Sequence, residues 1–176
     1  MGYLATMLIA SISGIRGTVG GQAGEGLSPS DVVQFASGYG AWILQKHNAP
    51  NRKPVVVVGR DARISGPWVR DIVCGTLNAQ GIDVVDLGLS TTPTVELAVP
   101  GLNADGGLIL TASHNPKQWN ALKLLFFLMS TSLVLHASQS TRQMSEESSR
   151  TGGLLNMDPG KMNRSAALRW VTLRPC

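Results

Sequence analysis

Along the first 125 residues, apolar runs alternate with polar, glycine-containing breaks, and the spacing within the runs changes from one to the next. Residues 55–58 are four consecutive valines, the pattern of a strand buried on both faces. An earlier strand is predicted over residues 7–13, ending in the Gly-rich stretch GIRGTVGG. IDVVDLG (82–88) and GGLILTAS (106–113) predict two more, with Ser113 just past the end of the last. Between them the period becomes helical. Val32, Phe35, Ala36, Tyr39 and Ile43 share one face, behind Ser28 as N-cap, Pro29 at the first helical position and Asp31 as the acid of a capping box. Val69, Ile72, Val73, Thr76 and Leu77 form a second helical face, opened by Ser65 and closed by Gly81. A short helix starts near Pro93. The order β-α-β-α-β-α-β predicts an α/β fold, three-layer α/β/α with a mainly parallel sheet. Ligands of such sheets bind beyond the carboxyl ends of the strands. The three loops there are SGIRG (13–17), GRDAR (59–63) and TASHNP (111–116).

Composition narrows this. The chain has 176 residues, 43% hydrophobic and 15% charged, which is globular. Its net charge is +4, but residues 1–123 hold nine Lys/Arg against eight Asp/Glu, so the excess lies mostly beyond them. No basic stripe interleaved with aromatics runs through the body, which gives nucleic-acid binding no support. The two cysteines, Cys74 and Cys176, make no disulfide framework and no metal spacing, which suits a cytoplasmic setting. The N-terminus lacks a positive charge ahead of its apolar part, so no signal peptide is expected. The apolar run over 124–135 is broken by Ser130, Thr131 and Ser132 and is too short to span a membrane. Residues 124–176 hold four of the six methionines, eight serines and five arginines without a sustained period. Residues 1–125 are therefore expected to be one domain and 126–176 a poorly ordered tail. A sharper expectation is that this tail was never selected to fold on the body, as an out-of-frame translation would be.

The chemistry gathers at the three loops. A serine after a strand is usually a turn former, but Ser113 has His114 and Asn115 as polar neighbours and Pro116 to stiffen the exit. That suits a nucleophilic or phosphate-carrying hydroxyl, although the G-x-S-x-G elbow of a serine hydrolase is absent. Arg16, flanked by Gly14 and Gly17, has room to grip a phosphate or carboxylate; a solvated loop arginine explains it equally well. Arg60, Asp61 and Arg63 end the valine strand. Asp61 reads as a residue that orders its loop, with an arginine facing the site. Lys123 follows Ser113 by ten residues and reaches the same site if the loop folds back, though a surface lysine is the commoner case. His47 and His136 have no partners that point to metal.

TASHNP after a strand, with SGIRG near the N-terminus and GRDAR between, resembles the first domain of the α-D-phosphohexomutase superfamily. The resemblance covers residues 8 to about 125. SISGIRGTVGG and LSTTPTVELAV look most like bacterial phosphoglucosamine mutases, with phosphoglucomutase/phosphomannomutase as the near alternative. The resemblance implies that Ser113 carries the phosphoryl group it exchanges with a sugar phosphate through a bisphosphorylated sugar such as glucosamine 1,6-bisphosphate. It implies that His114 sits beside that phosphate, that Arg16 stabilises it, and that Lys123 transfers protons and positions the sugar. Arg60, Asn115 and Arg63 are the implied substrate-binding residues, and Mg²⁺ would bind through the phosphate on Ser113. Two departures stand out. Ala121 replaces the glycine of the family's N-G-x-K element, and the D-G-D-x-D-R metal loop of the second domain has no counterpart in this sequence. The expectation is therefore a phosphohexomutase, most like phosphoglucosamine mutase, whose remaining domains are missing and which is inactive alone. A non-catalytic phosphosugar-binding domain is the alternative.

Overall fold

The four valines do form a strand, and it is central. In the computed structural model, which describes residues 8–11, 14–128 and 133–136, β3 (Val55–Arg60) lies between β4 (Asp83–Leu89) and β5 (Gly106–Leu110), parallel to both. Val56, Val57 and Val58 are fully buried. The helices are α1 (Pro29–Lys46), α2 (Gly66–Ala79) and α3 (Thr92–Gly101). Beyond β5 the sheet continues with β6 (Trp119–Leu128), then β2 (Gly14–Thr18) and β1 (Leu8–Ser11), while β7 (Leu133–His136) pairs with the second half of β6.

The expectation of a mainly parallel sheet needs correcting, because every pairing outside β4–β3–β5 is antiparallel. For β5 and β6 the reason is chain length: they are joined by residues 111–118 alone, and a parallel crossover needs a dozen residues or more. The expected strand over 7–13 followed by a loop is likewise replaced by a hairpin of β1 and β2. GIRGT pairs with β6 instead of looping, so Arg16 stands on a strand.

The cap signals act as expected at α1. Ser28 Oγ accepts the Asp31 N–H, and the Asp31 carboxylate accepts the Ser28 N–H at 3.0 Å. Ser65 precedes α2 but makes no side-chain cap bond; its Oγ instead accepts from Asn120 Nδ2 at 2.8 Å. Helices α1 and α2 pack on one face of the sheet, where Val32, Ala36, Tyr39, Ile43, Val69, Val73 and Leu77 meet Val56, Val58, Leu108 and Leu122. Helix α3 covers the other face through Val95 and Val99 on Val57, Ile109 and Leu125, which completes the three layers. It comes this close because Gly59 leaves room: a Cβ there would lie 2.6 Å from Val95 Cγ2 and 2.1 Å from Ser90 Oγ.

Tyr39 ties the core to β6. Its hydroxyl lies 2.8 Å from the Leu125 carbonyl and 3.0 Å from that of Gly107, and its ring meets Phe126 edge-on at 5.6 Å. Trp42 packs on the same Phe126 at 4.3 Å. Phe126 is 4% exposed, so the core continues past residue 125 on β6, a strand that itself runs to Leu128. The expected poor order of the tail concerns mostly residues 137–176, which lie outside the described residues.

At the amino end of β5, away from the three loops, Asp105 collects four donors. Arg52 Nη1 and Nη2 donate at 2.7 and 2.9 Å, the Val55 N–H at 2.8 Å, and His47 Nδ1 lies 2.8 Å away. His47 Nε2 faces two carbonyls, those of Ala49 and Arg52, each at 2.9 Å. Both ring nitrogens thus face acceptors, an arrangement that only the imidazolium satisfies. The Asp105 hydrogen bond accordingly raises the His47 pKa above 6.5, against the opposing effect of burial. Burial works against the charge of Asp105, but the bonds from Arg52 and His47 outweigh it and hold the carboxyl below its usual range.

Candidate functional site

The site is built where β5 ends and turns back into β6. Ser113 is in the left-handed region, φ 54°, one of only two non-glycine residues with positive φ among those described. A non-glycine residue is held there at about 1–3 kcal/mol of backbone strain, so its surroundings must enforce it.

The loop after β3 reaches this turn. Arg63 Nε donates to Asp61 Oδ2 at 3.2 Å. Its Nη1 donates to the carbonyls of Pro116 (2.8 Å) and Trp119 (2.9 Å), and its Nη2 to those of Ser113 (2.9 Å) and Asn115 (2.8 Å). A guanidinium has five N–H donors, and here all five are taken. Arg63, expected from the sequence to bind substrate, is here engaged with Asp61 and the serine loop through every donor it has. Asp61 also accepts the Arg63 N–H at 3.0 Å and the Thr111 hydroxyl at 2.6 Å. Asp61 does order its loop, as read from the sequence, and it also reaches across to the serine loop.

The sheet supplies the cations. Arg16 on β2 is opposite Ala121 on β6, and Lys123 is two residues further along β6. Side chains two apart on a strand share a face, so Arg16 and Lys123 stand together on the α3 side, beyond the end of that helix's cover. Gly14 permits the approach: with φ 113°, a Cβ there would lie 2.7 Å from the Leu122 carbonyl and 3.1 Å from Lys123 Cγ. Arg16, Ser113, His114, Asn115 and Lys123 wall a single cavity of about 190 Å³, together with Thr111, Ala112 and Ala121. Its wall contains no carboxylate. The side chains of Arg16, His114 and Lys123 make no hydrogen bond or ion pair to any other described residue. Arg60 stands at the rim outside the wall, its Nη1 donating to the Asp61 carbonyl at 3.3 Å. The replacement of glycine by Ala121 brings no backbone strain, because that backbone does not adopt positive φ.

Two contributors escaped the sequence reading. Thr111 appeared only as part of its motif. Asn120 is fully buried, donates to Ser65 Oγ and accepts the Ala121 N–H at 2.8 Å, fixing the start of β6 to the start of α2. An asparagine inside the apolar run WNALKLLFF was the available signal, since buried polar side chains have partners.

Two unpaired cations, a histidine and a serine hydroxyl around a small cavity make an anion site. Its volume falls below the roughly 300 Å³ at which pockets enclose a whole small molecule. That is a size suited to a phosphate group. The same donor set does not fit a resident Mg²⁺, which takes carboxylates and water. Among the described residues no group of three or more His, Cys, Asp or Glu gathers to hold a metal. Nor, among them, is any helix long and apolar enough to cross a membrane.

Comparison with known proteins agrees with this geometry. Residues 8–131 match the model for phosphoglucomutase/phosphomannomutase, alpha/beta/alpha domain I. A phosphoglucomutase/phosphomannomutase of Thermococcus kodakarensis is 39% identical over 112 residues, covering 64% of this chain and 23% of the relative. A phosphoglucosamine mutase of Leuconostoc citreum is 44% identical over 110 residues, covering 62% and 23%. The chain thus spans about a quarter of the length of these curated relatives. The structure of a phosphoglucomutase/phosphomannomutase family protein from Burkholderia thailandensis superposes with a TM-score of 0.61 over 80% of this chain and 29% of that one, at 24% identity, and so shares its fold. With the motif loops assembled at one rim and the family model matched through β6, the chain belongs to the phosphoglucomutase/phosphomannomutase family, as its α/β/α domain I.

Proposed function

We propose that this chain is the phosphoserine domain of a phosphohexomutase, of the phosphoglucosamine mutase type. The observation that carries this reading is Ser113, set in left-handed backbone and exposed at a cavity that offers an anion only cations and neutral donors. The relatives named as phosphoglucosamine mutases, at 42% and 44% identity, support the finer assignment. The similar match to a phosphoglucomutase/phosphomannomutase keeps glucose and mannose phosphates as the substrates to test against it.

In this reading Ser113 Oγ carries a phosphoryl group. The Oγ–P bond breaks as a P–O bond forms to a sugar hydroxyl, and the hydroxyl proton leaves to a base. The product is a hexose 1,6-bisphosphate such as glucosamine 1,6-bisphosphate. After it reorients, its other phosphoryl returns to Ser113 Oγ and the isomeric monophosphate departs. Arg16 and Lys123 face the charge on the transferring group, the electrostatic stabilisation on which phosphoryl transfer chiefly depends. Lys123 also meets the exchanging hydroxyl, and His114 and Asn115 orient the phosphate. No Mg²⁺ step is assigned to these residues; beyond an oxygen on the Ser113 phosphate, its ligands would come from elsewhere. The chain spans about a quarter of the length of these relatives, so full turnover by it alone is not expected. The absence of a disulfide framework supports a cytoplasmic setting.

The test is phosphoryl capture. The purified chain is incubated with glucosamine, glucose or mannose 1,6-bisphosphate, and its peptides are read by mass spectrometry. One phosphoryl group on Ser113, fastest from the glucosamine compound and absent in Ser113→Ala, is the expected result. Labelling spread equally over other serines, or none from any of the three, refutes the reading.

A further inference from the structure

The loop after β3 does more than pack against the serine loop; it determines the conformation of Ser113. The argument rests on counting protons. Arg63 can only donate, and ionised Asp61 can only accept. The Thr111 hydroxyl has one proton, and at 2.6 Å it goes to Asp61. The lone pairs of Thr111 Oγ1 are then left to accept, and the Ser113 N–H lies 3.2 Å away. The same Arg63 that fixes Asp61 also takes the Ser113 carbonyl at 2.9 Å. One chain of side chains thus holds both peptide groups of Ser113, its N–H through Thr111 and its C=O through Arg63, while its side chain stays exposed.

We infer that Arg63, Asp61 and Thr111 are positioning residues that clamp Ser113 in its left-handed conformation and so set the direction of its Oγ toward the phosphoryl group it exchanges. The inference rests on the proposed phosphoserine role of Ser113. Arg63 and Asp61 lie outside the cavity wall; Thr111 lines it, but its one hydroxyl proton goes to Asp61, so it has no donor to offer an anion and acts through the serine amide. The clamp therefore governs the rate of transfer and leaves the affinity for the sugar phosphate alone. It also explains why GRDAR and TASHNP, about 50 residues apart, occur together in this chain: one carries the guanidinium, the other the carbonyls it binds.

The test uses the isotopically labelled full chain and two readouts. Solvent exchange of the Ser113 amide, followed by NMR, reports the clamp directly. The rate of Ser113 phosphorylation by glucosamine 1,6-bisphosphate, measured against its concentration, reports the consequence. In Thr111→Val, which keeps the shape and removes the hydroxyl, the Ser113 amide should exchange about tenfold faster, the factor that accompanies loss of one hydrogen bond. The saturating rate should fall by about the same factor, with the half-saturating concentration unchanged. Thr111→Ser should restore both. If the β5 amides show that Thr111→Val has lost the fold, Thr111→Ala carries the comparison. Unchanged exchange at Ser113 overturns the clamp whatever the transfer assay shows. Faster exchange with an unchanged rate, or a change only in half-saturation, overturns its positioning role. If the unsubstituted chain takes no phosphoryl group, the phosphoserine reading has failed instead, and the exchange comparison still decides whether Thr111 holds Ser113.

Discussion

Replacing Asp105 with asparagine should destabilise the domain by about 2–3 kcal/mol, and the size of the loss should depend on pH. The carboxylate takes four hydrogen bonds, from His47, both Nη atoms of Arg52 and the Val55 N–H. Bonds to a charged group contribute roughly 1.5–3 kcal/mol each when well sheltered. Shelter is uneven here. The side chains of Asp105 and His47 are 14% and 12% exposed, but that of Arg52 is 32% exposed, so its share falls toward the roughly 0.2–1 kcal/mol of surface pairs. Asparagine keeps the shape and one acceptor, but its NH₂ then faces donors. For a body of this size the loss lowers Tm by about 6–12 °C. Because the folded-state pKa of His47 is raised, its contribution is complete below 6.5 and is lost as pH rises through the folded value. Because that of Asp105 is lowered, its contribution is present above 3.8 and is lost as pH falls through its folded value. The gap between the parent and Asp105→Asn should therefore be widest in mildly acidic buffer and narrow with rising pH. Urea and thermal denaturation followed by circular dichroism, from about pH 5 to about pH 9, measure it. A gap below about 0.5 kcal/mol, or one that widens toward alkaline pH, would refute the reasoning.

Three further outcomes are expected. Gly59→Ala puts a methyl group against Val95 and Ser90 and should cost about 1–3 kcal/mol by overpacking; an unchanged urea midpoint would show that α3 can move aside. Ala121→Gly restores the family's usual residue at a position that does not need it, so titration with inorganic phosphate should be unaltered while stability falls by about 0.5–1 kcal/mol. Arg16→Ala should weaken phosphate binding at least severalfold without moving the urea midpoint by more than about 0.5 kcal/mol, since its guanidinium has no partner among the described residues; loss of fold would contradict that placement.

The sequence made local signals legible and left long-range ones hidden. The Ser28 capping box and the four buried valines depend on near neighbours, and both are where the pattern puts them. β2 reads as a loop in the sequence because two glycines and an arginine in five residues resemble a turn, and its partner strand lies far along the chain. β6 was overlooked because its apolar second half merged with the tail. Ser113, His114 and Lys123 could be singled out from their motifs, and the cavity contains all three. The role of Arg63 could not be, because four of its five acceptors are backbone carbonyls, which any residue supplies.

Placing Arg16 on the N-terminal hairpin and Lys123 on β6 has a consequence for biosynthesis. The residues that pair β2 with β6 are about 100 apart in the chain. At roughly 5–20 residues per second, a ribosome exposes Arg16 some 5–20 seconds before Lys123 exists. Until then the hairpin has no strand to join, and two strands alone are marginal in water. The parallel centre, with contacts closer in sequence, can assemble first. The anion cavity is therefore among the last parts of the domain to appear during translation, and a nascent chain stalled before β6 would have the valine strand and its helices but nothing with which to hold a phosphate.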